Sequence, residues 1–578
     1  MNKVQMGRRN VFFLICAAFI LGGYCAELYG IFKINTAACE DAYITYRFSR
    51  NLAEGRGPLF NAGDPVEGYS NTVWMAAIAL AHWGGIDMAL FSRVAGGLCS
   101  ILTLLLVWYV PWRYFGCAGI VSLLGPLLYM LFQPFHFYAT SGLETSFYTL
   151  LVQLCILAVL WARERPLPFV AASLIFVVTA LTRPDGIIFF GFYGLFVFGR
   201  LLVSRKPLRP YLPGVLVFCV IYGLFICWRL SYYGLPLPNT YYAKGSFPLV
   251  LRAALGALMN KGFVAHYAYL PLLFVSLIGF VKLKFERRLL VLVTFMAAGL
   301  FFSIGFSGFD WMPFFRYTLP VVPVMIMLCQ VAVSRLWHRL AAGGDIRRMC
   351  VWAGALVFFL ALAAEQFYVD MSLNVRWNAV SEFAMHNQRF FGTWIKRHGD
   401  PDAVWAMGDV GRLAYFSEAR IVDIFGLTSR EFADIKNRYG APELQLPACR
   451  VSFDGYKEKE RELLLKLAPD YVLLYNARLK ISDTFPGSVV GIADHPAFQQ
   501  QYEYLDTFYT IPQLESPAWP KLPHVIDVTD LSAGLLSWIK NGWGYDIYIR
   551  RDSPFVRFRF SMDAGGLIRQ VVVAEEKP

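Results

Sequence analysis

Long apolar runs separated by short polar loops dominate residues 1–369 of this chain. An α-helix needs about 20 apolar residues to cross the hydrocarbon core of a bilayer, and about eleven runs have that character. They cover 11–32, 87–110, 117–132, 145–162, 167–182, 186–203, 210–230, 266–283, 289–306, 317–335 and 350–368. The pattern predicts a polytopic α-helical membrane protein with about eleven transmembrane helices.

The run Thr72–Trp83 is apolar but too short to span a bilayer. It lies in a longer loop, 33–86, between the first two predicted spans. We interpret it as a helix that dips in from one face, or as an extension of the following span.

Residues 370–578 have a different character. Charged residues become more frequent, and short strand-like runs such as 403–407 and 471–475 alternate with an amphipathic stretch at 457–467. This predicts a compact mixed α/β domain. The turn Gly408–Gly411 lacks the third glycine of a nucleotide-binding loop, so we interpret it as a plain strand-to-helix turn.

Composition and charge place this architecture in a membrane. Hydrophobic residues make up 57% and charged residues 16% of the chain, whereas soluble domains have about 25% charged residues, so a soluble enzyme is excluded. The net charge of +12 comes from Lys and Arg in alternate short loops, where they set orientation rather than bind nucleic acid. This predicts a cytoplasmic N-terminus, and the first span is then an uncleaved signal anchor. Loop 33–86 would lie on the outer side of the membrane. The C-terminal domain, which follows an odd number of spans, would lie on that side too.

Unusual polar motifs fall in the predicted outer loops. They are Glu40–Arg47, Val66–Asn71, Ser141–Thr145, Thr182–Gly186, Leu237–Lys244 and Phe309–Arg316. The adjacent acids Glu40 and Asp41 directly follow the first span, and a carboxylate at a bilayer surface can accept a proton from a hydroxyl group. Helix capping or first-turn acidity ahead of an amphipathic stretch at 42–52 is the structural alternative, and both roles can hold together.

Cysteine usage adds little to this interpretation. Of the 11 cysteines, only Cys39 and Cys449 are predicted to face outside, and without a paired framework around them we do not expect a disulfide. The others lie in or beside spans, where a thiol behaves as a small apolar group. Zinc-type CxxC or HxxxH spacing is absent from the sequence.

The ordered set of outer-loop motifs, together with Asp310-Trp311-Met312-Pro313, resembles the GT-C glycosyltransferases related to mycobacterial terminal arabinofuranosyltransferases. The resemblance covers about residues 40–320 and extends weakly into Gly411–Leu427. It implies a transferase that takes a sugar from a polyprenyl-phosphate donor and attaches it to an acceptor on the periplasmic side of a bacterial inner membrane. The family usually begins its first outer loop with two aspartates, whereas this chain has Glu40 and then Asp41.

The resemblance implies a catalytic carboxylate in this loop. Asp41 is our first choice because it keeps the family pattern, and Glu40, one methylene longer, is the second. Asp41 would act as general base in an inverting reaction. A retaining reaction would need a covalent intermediate or same-face attack, and the sequence favours neither.

A phosphate leaving group requires nearby cations. Arg183, Lys244 and Arg316 are the candidates, because each lies in an outer loop near the end of an apolar run. Snorkelling to lipid headgroups is the alternative for each of them, although their coincidence on one face favours a donor site.

Further outer-loop residues are candidates for the sugar or the acceptor. They are Glu67, Tyr69, Asn71, Asn239, Tyr242, Asp310 and Trp311. Structural roles for the acids and an interfacial belt for the aromatic residues are the alternatives. Glu144 and Asp185 are interpreted as caps of the helices that follow them. A divalent cation, Mg, Mn or Ca, could bind Glu40 and Asp41, although Arg or Lys could neutralise a monophosphate without it.

The resemblance favours arabinofuranose as the transferred sugar, with another pentose or hexose as the alternative. The acceptor would be a cell-envelope polysaccharide, a lipopolysaccharide or a surface protein. A transporter or flippase of a lipid-linked sugar is the second hypothesis, but the polar motifs crowd one face, whereas a transporter needs access from both. A membrane-anchored sensor or scaffold is a third, although one span would suffice as its anchor.

Overall fold

The structure is a computed structural model. It describes residues 3–34, 38–162, 166–203, 205, 209–243, 287–306, 316–343, 350, 354, 357, 381–439, 454–475, 491–511, 543–563 and 566–573. The predicted domain boundary at 369/370 lies outside these residues.

The N-terminal part of the described chain is a bundle of helices. Their bounds are α1 Lys3–Ile34, α2 Glu40–Ala53, α3 Thr72–Trp83, α4 Met88–Phe115, α5 Leu124–Met130, α6 Gln133–Thr140, α7 Thr145–Ala162, α8 Pro166–Thr182, α9 Gly186–Val203, α10 Leu212–Tyr233, α11 Asn239–Ala243, α12 Arg287–Phe306 and α13 Val322–Gly343. Short 3-10 turns occupy Gly119–Leu123, Arg209–Tyr211 and Arg316–Thr318.

Several predicted spans coincide with these helices. Five helices of the described chain are long and apolar enough to cross a membrane: the part of α1 from Ile15 to Lys33, α4, α7, α9 and α10. The apolar helices α8 and α12 match two more predicted runs, and α13 overlaps the predicted run 317–335 from Val322 but continues to Gly343. The predicted spans 266–283 and 350–368 lie outside the described residues, apart from 350, 354 and 357. A multi-pass membrane protein is thus confirmed, while the count of eleven stays a prediction.

The predicted span 117–132 contains a 3-10 turn followed by α5 rather than one continuous α-helix, and it ends at a bend in the chain. The segment Gly119–Met130 is followed by α6, which is bent from it by 56°. Pro134 lies in the first turn of α6, where its fixed φ suits a helix start, but it could not continue a helix that arrived from the preceding residues. The short run Thr72–Trp83 forms α3, a helix of its own that ends at Gly84 and is not an extension of α4.

The C-terminal part mixes strands and helices, as predicted. Its elements are α14 at 381–398, β1 Val404–Met407, α15 Arg412–Ser417, β2 Arg420–Asp423, α16 Arg430–Tyr439, α17 Asp454–Leu467, β3 Tyr471–Tyr475, α18 Pro496–Gln501, β4 Tyr502–Ile511, β5 Trp543–Arg550, β6 Phe558–Met562 and β7 Ile568–Val573. One sheet has the strand order β2-β1-β3-β5-β4, parallel at β2-β1-β3 and antiparallel beyond, and β6 pairs with β7 separately.

The two parts share a hydrophobic core. Phe48 of α2 and Phe60 of the loop after it belong to the same buried cluster as Trp405, Leu413 and Ile421 of the C-terminal part. Burial of these side chains stabilises the contact between α2 and the β1-α15-β2 segment. The helix that carries the predicted catalytic carboxylates is therefore packed directly against the C-terminal domain.

Candidate active site

Five element ends meet at one end of the helix bundle, which we call the site end. They are the first turn of α2, the residue before α3, the α6–α7 loop, the α8–α9 loop and the 3-10 turn before α13. Together they bring six polar side chains into one connected group, here called the acid–base cluster: Asp41, Asn71, Glu144, Arg183, Asp185 and Arg316.

Arg183 is the buried centre of the acid–base cluster. Its Nη1 lies 3.1 Å from Glu144 Oε1, and its Nε lies 2.9 Å from Asp185 Oδ1. The guanidinium also lies over the rings of Tyr148 and Tyr317, at 5.2 Å and 4.9 Å from their centroids. Two carboxylates and two aromatic faces thus hold a cation that would be costly to bury alone.

The charges of this cluster support one another. Burial tends to raise the pKa of Glu144, but Arg183 and Arg316 outweigh it, and the net effect lowers that pKa. Burial likewise tends to lower the pKa of Arg183, but Asp185 and Glu144 outweigh it and raise that pKa. The glutamate is therefore a carboxylate at neutral pH, paired with a permanent cation.

Asp41 and Arg316 form the more accessible edge of the cluster. Asp41 Oδ2 lies 3.7 Å from Arg316 Nη1, and the Asp41 side chain is 21% exposed, compared with 7% for Glu144. The guanidinium of Arg316 also lies 5.3 Å from the ring centroid of Tyr317, which Arg183 contacts from its own side. Of these two carboxylates, Asp41 is the one a hydroxyl group could reach.

Asn71 ties α2 to the buried part of the cluster. Its Nδ2 donates to Glu144 Oε2 and to Thr45 Oγ1, both at 3.1 Å. Thr45 is one helical turn after Asp41, so this amide fixes the face of α2 on which Asp41 lies.

The α6–α7 loop is fitted closely against the start of α2. Gly142 has φ +84°, and a side chain there would collide with the Tyr46 hydroxyl. Cys39 N donates to Ser141 O at 2.8 Å, and Trp74 Nε1 donates to Gly142 O at 3.1 Å. This explains the glycine of the motif, because only glycine permits both the backbone conformation and the close approach of Tyr46.

The side chain of Glu40 contacts the C-terminal domain, whereas that of Asp41 faces Arg316. Its Oε1 accepts the backbone N–H groups of Gly411 at 2.7 Å and Arg412 at 3.1 Å, at the start of α15. Burial, together with the nearby carboxylates of Asp409 and Asp41, raises the pKa of Glu40 well above its usual value. The acidic pair therefore separates into one residue in the cluster and one at the domain contact.

Three predicted sugar or acceptor residues contact other protein groups instead. Glu67 lies 2.8 Å from Arg229 Nε, is 2% exposed and has its pKa raised to about 7 by burial despite that cation. Tyr69 shares a hydrogen bond with Tyr233 at 3.1 Å. Asn239 Nδ2 donates to Gly426 O at 2.7 Å. Their predicted roles in sugar binding stay predictions, and the structure shows them joining segments of the chain.

The other predicted site residues differ in what the structure says of them. Tyr242 is partly buried and packs edge-on against Tyr241 at 5.4 Å. Lys244, Asp310 and Trp311 lie outside the described residues. Glu144 and Asp185, predicted as helix caps, place their side chains on Arg183 instead. Where the chain is described, no three Asp, Glu, His or Cys side chains group as metal ligands, and the predicted Mg, Mn or Ca stays a prediction.

Two arginines that connect the motifs, Arg229 and Arg412, were not predicted from the sequence. Arg229 pairs with Glu67, and Arg412 donates from its Nη2 to Ala38 O at 2.8 Å. Arg229 had a visible signal, because it is a lone cation near the end of an apolar run. Arg412 had none, since it follows a strand-to-helix turn far along the chain.

Part of the chain is similar in sequence to two curated proteins. The chain is 30% identical over 230 residues to a terminal beta-(1->2)-arabinofuranosyltransferase of Mycobacterium tuberculosis, covering 36% of this chain and 34% of that protein. It is 27% identical over 240 residues to the enzyme of the same name from Corynebacterium glutamicum, covering 36% and 33%. The match thus spans about a third of the length of these curated relatives.

The fold comparison covers more of the chain. Crystalline ArnT from Cupriavidus metallidurans in the apo state superposes with a TM-score of 0.50 at 15% identity, over 84% of this chain and 96% of that one. Residues 376–525 match a family model described as a domain of unknown function, DUF8728. The chain therefore shares its fold with ArnT, and its predicted resemblance to terminal arabinofuranosyltransferases is confirmed. The transporter alternative is not favoured.

Proposed function

We propose that this protein is a membrane glycosyltransferase that moves a sugar from a polyprenyl-phosphate donor to an acceptor of the cell envelope. One observation carries the proposal: the accessible carboxylate of Asp41 lies beside Arg316, at the edge of the acid–base cluster. A base and a cation side by side at the site end of a membrane bundle suit the removal of a hydroxyl proton and the departure of a phosphate.

Arg316 is the cation that we assign to the donor phosphate. Its side chain is 11% exposed and faces Asp41, so a phosphate could exchange with or join that carboxylate. A guanidinium binds phosphate oxygens bidentately and stabilises the charge that develops as the sugar leaves. Lys244 remains a predicted second contact.

Arg183 has a different role in this proposal. The structure pairs it with both Glu144 and Asp185, so it is already neutralised and is poorly placed to bind a further anion. We assign it to the framework of the cluster, where it holds the α6–α7 and α8–α9 loops together. Its sequence-based role as a phosphate ligand is replaced by this one.

Asp41 is the proposed base. In an inverting reaction its carboxylate accepts the proton of the attacking hydroxyl while the sugar–phosphate bond breaks, and the leaving phosphate takes up the bonding electrons. Arg316 lies within reach of both charges, so it could stabilise the phosphate as negative charge moves onto it.

The proposed sugar is supported by the relatives rather than by the site. Both curated relatives are arabinofuranosyltransferases, so arabinofuranose is the favoured sugar. A cell-wall polysaccharide, a lipopolysaccharide or a surface protein is the proposed acceptor.

The proposed location is the outer, periplasmic side of a bacterial inner membrane. Arg113, Arg209 and Arg288 lie at helix ends opposite the site end, and Arg288 Nη1 donates to Tyr114 O at 2.8 Å across that end. Basic loops mark the cytoplasmic side, so the site end would face outward.

Transfer of labelled arabinofuranose tests this proposal. Purified wild type would be incubated with synthetic polyprenyl-phospho-arabinofuranose and a crude envelope glycan fraction, in parallel with Asp41→Asn. We expect transfer by the wild type and a loss of about 1,000-fold in the variant with donor binding retained, because general-base catalysis contributes on the order of 100- to 10,000-fold.

Glu462→Gln is the matched control for that experiment, because Glu462 is an exposed acid whose pairing with Lys459 is on the surface. Full activity of Asp41→Asn would remove Asp41 from the chemical step. Movement of intact donor across reconstituted vesicles, without transfer, would instead support a flippase.

A further inference from the structure

Glu40 is adjacent to the proposed base, yet its side chain is bonded to the C-terminal domain. Its Oε1 accepts two successive backbone N–H groups, from Gly411 and Arg412. In return Arg412 donates from its Nη2 to Ala38 O, on the other side of Glu40, and to Ser381 Oγ. The backbone around the first residue of α2 is thus held by one short turn of the C-terminal domain.

The fit at this turn requires glycine. A Cβ at Gly411 would collide with the carbonyl oxygen and the carboxyl oxygen of Glu40. The start of α2 has no side-chain cap of its own, because Cys39 precedes it without such a hydrogen bond. The contact with Gly411 and Arg412 therefore supplies the local restraint that a cap would otherwise give.

The middle of α2 is held by the same part of the C-terminal domain. Arg47 Nη1 donates to Ala414 O at 2.6 Å, and its Nη2 donates to Ala419 O at 2.7 Å. Residues 411–419 therefore contact α2 at Glu40, directly before Asp41, and at Arg47, about two turns after it.

We propose that Glu40 is a positioning residue, through which the turn Gly408–Arg412 of the C-terminal domain sets the direction of Asp41 relative to Arg316. The C-terminal domain is then part of the catalytic apparatus without contributing a reacting group. The expected change in kcat rests on the proposed function. The expected loosening of α2 rests on the contacts alone.

The substitution series separates positioning from acid–base chemistry. We expect Glu40→Ala to lower kcat by about 10- to 100-fold with little change in KM for the donor, because misplacing a reacting group by about 1 Å costs about that much. Glu40→Gln should stay within about 3-fold of wild type, since an amide oxygen accepts the same two N–H bonds. A Glu40→Gln variant as inactive as Asp41→Asn would overturn the proposal.

Gly411→Ala disturbs the same contact from the other domain. We expect a loss of kcat like that of Glu40→Ala, and a double variant that is no worse than either single one, because both remove one interaction. Gly223→Ala is the matched control, since a Cβ there meets nothing within 4 Å. Fully additive losses would contradict a shared contact.

Hydrogen exchange tests the contact even if no sugar is transferred. Peptides covering 40–47 and 408–417 should exchange faster in Glu40→Ala and Gly411→Ala than in wild type, and at the wild-type rate in Glu40→Gln and Gly223→Ala. Unchanged exchange in Glu40→Ala would overturn the positioning role. If Glu40→Ala and Gly411→Ala exchange faster but the wild type transfers no sugar, the proposed contact is supported. Only the proposed function is then contradicted.

Discussion

Burial separates the acidic residues of the site end into different roles. Asp41 is 21% exposed beside Arg316, whereas Glu144 is 7% exposed against Arg183 and Glu67 is 2% exposed against Arg229. A base must reach its substrate, and a structural carboxylate must be paired with a cation when it is buried. Carboxylates within one set of motifs therefore divide into Asp41, which we propose as the reactive residue, and several that pair with buried cations.

The two arginines of the cluster should respond differently to substitution. Arg316→Met is expected to lower kcat by about 100-fold, because it removes charge stabilisation beside Asp41. It should cost less stability than the loss of Arg183, since the carboxylate that it leaves behind, Asp41, is 21% exposed to solvent. Arg183→Met should lower the free energy of unfolding by about 3–5 kcal/mol, because it leaves Glu144 and Asp185 buried without their cation.

Thermal unfolding in detergent and transfer kinetics, measured on both variants, check this contrast. Arg316→Lys serves as the control, since it keeps the charge but loses the bidentate geometry. A stable, fully active Arg183→Met variant would contradict the framework role.

The bounds of single helices could be predicted from the apolar pattern, but their breaks and partners could not. The predicted spans 145–162 and 186–203 have the bounds of α7 and α9, because a bilayer imposes both length and apolarity. The bend between Met130 and Gln133 lies at the end of the predicted run 117–132, and apolarity carries no information on the angle between two successive helices. The pairing of Glu67 with Arg229 joins positions far apart along the chain, and only the packing of helices reveals it.

Close packing of α4 against α6 supports the loop that carries Glu144. A Cβ at Gly96 would lie 2.5 Å from Ala139 O, whereas one at the neighbouring Gly97 would meet nothing within 4 Å. Gly96→Ala is therefore expected to cost about 1–3 kcal/mol, because a backbone atom must move to admit the methyl group. Gly97→Ala is the matched control on the same turn of the helix and should be close to neutral.

Melting temperatures of these two variants in detergent give the comparison. Equal melting temperatures would show that α6 can shift freely and that the close approach carries no stability. A lower value for Gly96→Ala, accompanied by reduced transfer, would connect the packing of α6 to the position of Glu144.

At the scale of the whole molecule, the C-terminal domain is joined to the bundle by side chains that bond backbone groups. Asn61 donates to Ile421 O at 2.8 Å and accepts from Ile421 N at 3.1 Å, so it extends the edge of the sheet at β2. Asn239 bonds Gly426 O and Leu427 O, on the turn after β2. The segment Gly411–Leu427 is thus a surface that the bundle motifs contact.

Removing the contact of Asn61 should loosen this union. Asn61→Leu has a similar volume but leaves the N–H and C=O groups of Ile421 buried without their partner, at a cost of about 1–3 kcal/mol for each group. We expect faster cleavage by trypsin within 381–439 and a lower transfer rate, whereas the exposed Gln500→Leu should behave as wild type. If cleavage and transfer were both unchanged in Asn61→Leu, the domain would be held by its apolar core alone, and the hydrogen bonds at the sheet edge would only set its register. Loss of transfer without faster cleavage would instead place the effect at α2, which the loop of Asn61 follows directly and which carries the proposed base.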